Sequence, residues 1–272
     1  MPTSWLWRFG ANIGQIAYKF AKKRKAIVEA NLKIVHPEYS EEEIRSLSRQ
    51  VFRNSFANLA STINTGCIPS KKISSLIKIT GQKEFKHLPP DKGCIFLIFH
   101  MGNWEILTRI APFFETDKPS AAMFRPLNNS LINDYVTRSR EIDGTKLFGR
   151  KRGLIQASKF LRDGGILGIL GDQHSGKAGV TLPLFGKDTS VTPLPSSLAQ
   201  KYDCPIIPVT VRTVAPGRWD IHFSSAITIP KELSKIEAVQ RLTPIMENVM
   251  KDHCADIFWL HDRWKLKHSL KT

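Results

Sequence analysis

His100 and Glu105 stand where acid–base chemistry can be assembled. The apolar run Cys94-Ile95-Phe96-Leu97-Ile98-Phe99 leads straight into His100, and Met101-Gly102-Asn103 makes a turn before Trp104 and Glu105. Asn103 is expected to cap a helix over 104–114, with Glu105 in its first turn. A strand-end histidine and a first-turn acid can fold together across such a turn. A carboxylate on one imidazole nitrogen fixes the tautomer and leaves the other nitrogen as a general base. A substrate that brings its own hydroxyl then needs no protein nucleophile. A lone histidine is more often a core residue satisfied by backbone; here the exit from a buried strand, the glycine turn and the nearby acid favour function. Zinc would need further ligands. His174 is the obvious one, but neither HExxH nor another metal spacing occurs, so no metal and no cofactor are expected. Without G-x-S-x-G, serine-hydrolase chemistry has no support either.

Those residues need a scaffold, and the chain changes texture to supply one. Before about residue 66 it reads as helical. Ser40-Glu41-Glu42-Glu43 is a capping box, followed by Ile44, Leu47, Val51, Phe52, Phe56, Leu59 and Ile63 at helical spacing. Beyond it, short apolar runs at 73–79, 94–99, 121–124, 166–170, 206–211 and 219–223 are strand candidates. Helix candidates lie at 104–114, 129–141, 153–162, 193–202 and 235–251. This alternation predicts an α/β fold: a central, mostly parallel or mixed sheet flanked by helices, with ligands beyond the carboxyl ends of the strands. The expected division is a helical segment, 1–66, for membrane association and packing, and an α/β domain, 67–272. The basic tail 265–272 is expected to be partly disordered.

The block His100-Met101-Gly102-Asn103-Trp104-Glu105 resembles the HxxxxD/E motif of the lysophospholipid acyltransferase superfamily, and more closely the HFGNWE typical of the bacterial lipid A biosynthesis (lauroyl/myristoyl) acyltransferases. Further blocks follow in the same order. Met123-Phe124-Arg125-Pro126-Leu127-Asn128 resembles "YRPxxN", and Gly171-Asp172-Gln173 with Gly179-Val180 and Pro183-Leu184-Phe185-Gly186 resembles "DQ…GVxVPFFG". Pro205-Ile206-Ile207-Pro208-Val209 resembles "APVVPV", and Trp259-Leu260-His261-Asp262-Arg263-Trp264-Lys265 resembles "WxHxRWK". The resemblance implies a glycerolipid-acyltransferase-like fold. It also implies transfer of a fatty acyl chain from an acyl carrier protein or coenzyme A thioester to a hydroxyl on a lipid A precursor. His100 would take the hydroxyl proton and Glu105 would balance the imidazolium. Arg125 and Asn128 would bind substrate, with Arg125 on a phosphate or the developing oxyanion. Asp172 and Gln173, after a buried strand, would contact substrate or support the site. The motifs fix the chemistry rather than the acceptor, so a lysophospholipid or glycolipid acceptor remains the alternative.

Composition agrees with such partners. Forty Lys and Arg against 24 Asp and Glu give a net charge of +16, which favours an anionic lipid acceptor, an acidic carrier protein or an anionic membrane. A nucleic-acid-binding protein is the rival of another class, but no nucleic-acid motif appears. Residues 1–35 carry seven Lys and Arg and one Glu. Trp5, Trp7, Phe9, Ile13, Ile16 and Phe20 precede the cluster Lys22-Lys23-Arg24-Lys25, a pattern expected of an interfacial anchor. No stretch is long and apolar enough to span a bilayer. With the family resemblance, the expected location is the cytoplasmic face of the inner membrane, peripheral or monotopic. Cys94 and Cys204, in or beside apolar runs, read as small buried hydrophobes.

Overall fold

The computed structural model describes residues 2–149 and 153–265, so most of the basic tail lies outside the described residues. Three helices come first: α1 (Thr3–Phe20), α2 (Lys22–Val35) and α3 (Glu41–Thr65). The capping box opens α3: Ser40 Oγ accepts from the Glu43 amide at 3.3 Å, and Glu43 Oε2 accepts from the Ser40 amide at 2.7 Å. Gly10 and Gly14 let α1 lie against α3 backbone to backbone. A Cβ at either would come within 2.5 Å of a carbonyl, Phe56 for Gly10 and Phe52 for Gly14.

The chain continues through α4 (Ser70–Ile73), β1 (Ile77–Thr80), α5 (Lys83–Lys86) and β2 (Cys94–Ile98). Two 3₁₀ segments, Trp104–Arg109 and Ala111–Phe113, lead to β3 (Ser120–Phe124), α6 (Ser130–Glu141), β4 (Lys146–Gly149), α7 (Gly153–Arg162) and β5 (Ile166–Leu170). A hairpin of β6 (Val180–Leu184) and β7 (Lys187–Val191) precedes α8 (Leu194–Tyr202), β8 (Ile206–Ala215), β9 (Arg218–Phe223), α9 (Lys235–Gln240) and α10 (Thr243–Asp252).

Among the described residues, seven strands form one sheet in the order β1-β9-β8-β2-β5-β3-β4, parallel from β8 to β4, with β9 antiparallel to β8. Central β2 is buried at every position, as a strand covered on both faces must be. Its side chains alternate between two cores. Ile95 and Leu97 join Leu32, Phe52 and Ile169 on one face, while Cys94, Phe96 and Ile98 join Trp7, Ala57 and Ile221 on the other. The N-terminal helices thus contribute to both cores of the sheet.

Three expected elements differ. The strand anticipated over 73–79 starts at Ile77, because Ile73 closes a helical turn. The helix anticipated over 235–251 breaks between Gln240 and Thr243, just before Pro244, which cannot donate the amide that continuity needs. The helix anticipated over 104–114 is two 3₁₀ segments, with Pro112 in the second.

Candidate active site

Sheet register places the two central residues. Ile98 on β2 pairs with Leu170 on β5, so His100 and Asp172, each two residues further on, leave the sheet side by side. Asp172 Oδ2 accepts the His100 amide at 2.9 Å, and Oδ1 lies 2.7 Å from His100 Nδ1. Burial of Asp172 opposes its ionisation, yet the charge and hydrogen bonds of His100 outweigh it and hold the carboxyl below its ordinary value. A carboxylate only accepts, so Nδ1–H donates to it, and in the neutral form of the ring the lone pair is left on Nε2. The imidazole retains 19% of its surface exposed, enough to meet a substrate.

The turn after His100 is fixed from both sides. Gly102 has φ +52°, and a Cβ there would collide with the Val211 carbonyl of β8. Its amide donates to the Asp256 carbonyl at 3.1 Å, and the Phe258 amide donates to the His100 carbonyl at 2.8 Å.

Among the described residues, no hydrogen bond joins Glu105 to the imidazole. Its carboxylate takes a bidentate fork from α6, with Arg140 Nε on Oε2 at 2.7 Å and Nη2 on Oε1 at 2.6 Å. Trp104 Nε1–H also donates to Oε1, at 3.1 Å. The Trp104 ring stands edge-to-face on the His100 ring, with centroids 5.2 Å apart at 67°. Asn103 makes no helix cap. Its buried amide joins α3 instead, donating to Thr65 Oγ1 at 3.1 Å and accepting from Thr62 Oγ1 at 3.1 Å. Side chains of this turn are thus claimed by α3 and α6, and a regular helix would withdraw them.

Arg125 and Asn128 lie in the exposed loop after β3, which is parallel to β5, so they project from the same sheet edge as His100. Gln173 is half-buried beside Asp172. Among the described residues, no hydrogen bond joins Arg125, Asn128 or Gln173 to His100.

Sequence reasoning left His174, His261 and Arg263 without roles, and all three gather near Asp172. His261 Nε2 accepts the His174 amide at 3.2 Å, and His174 Nδ1 accepts the Gly176 amide at 2.9 Å. Burial pushes both imidazoles below their ordinary proton affinity. Burial also lowers Arg263 to about 10; its Nη1 donates to Thr189 Oγ1 at 2.8 Å and the Ser190 carbonyl at 3.0 Å. Among the described residues, no group of three or more His, Cys, Asp or Glu is placed to hold a metal.

A small apolar cavity of about 40 Å³ lies against the same strands, lined by Phe96, Ile98, Leu107, Ala122, Ile166 and Gly168, among others. Gly168 keeps it open, since a Cβ there would meet Ile98 Cδ1 at 2.9 Å.

The model of the family described as bacterial lipid A biosynthesis acyltransferase matches residues 1–266. A lipid A biosynthesis lauroyltransferase of Escherichia coli (strain K12) is 25% identical over 277 residues, covering 98% of this chain and 87% of that protein. A lipid A biosynthesis palmitoleoyltransferase of the same strain is 26% identical, covering 69% of this chain and 64% of its own. A solved 1-acyl-sn-glycerophosphate acyltransferase from Thermotoga maritima aligns over 88% of this chain and 97% of its own at 15% identity, with a TM-score of 0.37. With the family model spanning nearly the whole chain, the HMGNWE turn included, this protein belongs to the bacterial lipid A biosynthesis acyltransferases and is an acyltransferase.

Proposed function

We propose that the chain transfers a fatty acyl group from a thioester, of acyl carrier protein or coenzyme A, to a hydroxyl of a lipid A precursor, with His100 as general base. The observation that carries this reading is the 2.7 Å contact of His100 Nδ1 with the buried Asp172 carboxylate, which leaves Nε2 basic on a partly exposed ring. The acceptor hydroxyl gives its proton to Nε2, and its oxygen attacks the thioester carbonyl. The tetrahedral oxyanion collapses, the carbon–sulfur bond breaks, and the imidazolium returns the proton to the departing sulfur. Asp172 stabilises the imidazolium between those steps. Glu105, already neutralised by Arg140, acts through Trp104 rather than on the imidazole.

Arg125 and Asn128 offer a guanidinium and an amide to acceptor phosphates or the thioester, and Gln173, next to Asp172, offers a further amide to substrate in this reading. The small apolar cavity beside Ile98 and Gly168 would take at most the tip of the donor's hydrocarbon chain, with the rest lying along the surface beyond it. The net charge of +16 suits an acidic carrier and an anionic acceptor. Work at the cytoplasmic face of the inner membrane accords with the apolar, exposed stripe of α1.

Mass spectrometry of a lipid A precursor incubated with the purified chain and a lauroyl thioester, on carrier protein or coenzyme A in parallel, tests this. The expected product carries one added lauroyl group. General-base loss in His100→Ala is expected to slow its formation by about 10²–10⁴-fold. No acylated product with either donor, or a His100→Ala rate within tenfold of wild type, would overturn the reading.

A further inference from the structure

We propose that Arg140 is a positioning residue for the acyl transfer: through Glu105 and Trp104 it sets the imidazole of His100. The inference rests on His100 as the general base and adds a residue from a helix remote in sequence. Both Glu105 oxygens are taken by one guanidinium, at 2.7 and 2.6 Å, and the two side chains are only 13% and 21% exposed. A fork in that setting fixes the plane of the carboxylate as well as its place. Oε1 in turn receives the Trp104 indole N–H at 3.1 Å. The indole stands edge-to-face between the His100 ring, 5.2 Å away, and the Phe258 ring, 5.9 Å away. Asp172 holds Nδ1 of the imidazole from the sheet side, while Trp104 limits the swing of the ring from the α6 side.

The helix that supplies Arg140 is held by partly buried contacts and side-chain hydrogen bonds, such as that of Asn133 with the Leu127 amide. α6 buries none of its residues. The Tyr135 hydroxyl donates to the Ile63 carbonyl, and Ser139 rests against Gly66. The Arg140–Glu105 pair links α6 itself to the turn that carries the base, and Arg109 Nε on Asp143 at 2.6 Å ties the same 3₁₀ segment to the residues just after α6. Without the Arg140 fork, Glu105 loses its orienting partner, Trp104 loses a fixed acceptor, and Nε2 is no longer held on the line of proton transfer. Misplacement on that scale lowers turnover while leaving substrate affinity alone.

The test uses the full chain with Arg140→Gln, Arg140→Lys, Glu105→Gln and the double variant Arg140→Gln/Glu105→Gln, alongside His100→Ala. Arg140→Gln should lower kcat by about 10²-fold, with KM for thioester and lipid acceptor held at wild type. Arg140→Lys should recover part of that loss, because one ammonium cannot span both oxygens. The double variant should be no slower than the worse single one, since the two residues act as one unit. If Arg140→Gln fails to fold, Arg140→Lys and Glu105→Gln carry the same comparison of kcat against KM. A raised KM with kcat retained, multiplying losses in the double variant, or wild-type kcat in Arg140→Lys would each overturn the proposal. Full kcat in the Arg140 variants with an inactive His100→Ala would sink this inference alone, whereas an active His100→Ala would sink the general-base reading.

Discussion

At the scale of single residues, one carboxylate grips His100 twice, by its amide and by its ring, so removing charge should cost more at Asp172 than at Glu105. Asp172→Asn keeps the shape but offers the ring a neutral amide and can present an N–H where Nδ1–H must be accepted. Single-turnover measurement should show a loss of about 10²–10⁴-fold, the range of general-base assistance, and a smaller one for Glu105→Gln. The opposite order would restore Glu105 as the partner. The pH dependence of stability follows from three other residues. Burial holds His174, His253 and His261 below their ordinary value of 6.5 in the folded chain. The unfolded chain therefore takes up protons near pH 6.5 that the folded chain refuses, and stability must fall as pH drops below that value. Asp172, depressed below 3.8, stabilises above that pH, and its contribution is lost only as pH falls through its lower folded value. Thermal melts from pH 7.5 to 5.5, roughly the histidine window, should show falling stability, with a shallower slope in His261→Gln. A flat profile would show that these imidazoles titrate alike folded and unfolded.

Among the elements, the strands that carry the site were legible because a buried parallel strand writes itself as an unbroken apolar run, as Cys94–Ile98 and Ile166–Leu170 do. The residue that ends each run was legible for the same reason, which is why His100 and Asp172 stood out singly. Their partnership was not, since it depends on register between strands far apart in sequence. The 3₁₀ turn was hidden too: Asn103, Glu105 and Arg109 have ordinary helical spacing, and only their partners on α3, on α6 and at Asp143 pull them out of a regular helix. The cavity is a property of β2, β3 and β5 together, and its small residues predict a change of specificity. Gly168→Ala should push Ile98 aside and close the small space beside Ala122. In competition assays with mixed thioesters, its preference should move toward shorter chains, with each lost methylene contact worth about 0.8 kcal/mol. Unchanged chain preference would place the hydrocarbon elsewhere.

Across the whole molecule, α1 faces two ways. Trp7 and Ala11 are buried, with Arg53 stacked 4.8 Å over the Trp7 ring, so Trp7 is a core residue and not the lipid contact expected of it. Trp5, Phe9, Ile16 and Phe20 remain 65, 58, 58 and 77% exposed, and Ile13 falls on the same stripe. Among the described residues, no helix is long and apolar enough to cross a membrane. The proposed membrane contact rests instead on the exposed apolar stripe itself. The basic cluster is likewise divided. Arg24 Nη1 donates to the Leu260 carbonyl at 3.1 Å and Lys25 lies 4.6 Å over the Tyr18 ring, while Lys22 and Lys23 are exposed. Deleting the first 25 residues would strip core contacts along with the stripe, and loss of binding would then have two causes. Point changes separate them. Phe9→Ser with Phe20→Ser should weaken flotation with both neutral and anionic vesicles while leaving the thermal melt unchanged. Lys22→Gln with Lys23→Gln should act on anionic vesicles alone, by about 1 kcal/mol for each residue at low salt, and the effect should fade as salt rises. Retention of wild-type flotation by the double phenylalanine variant would mean that the stripe does not touch lipid, and equal losses on neutral and anionic vesicles in the lysine variant would remove its charge from the contact.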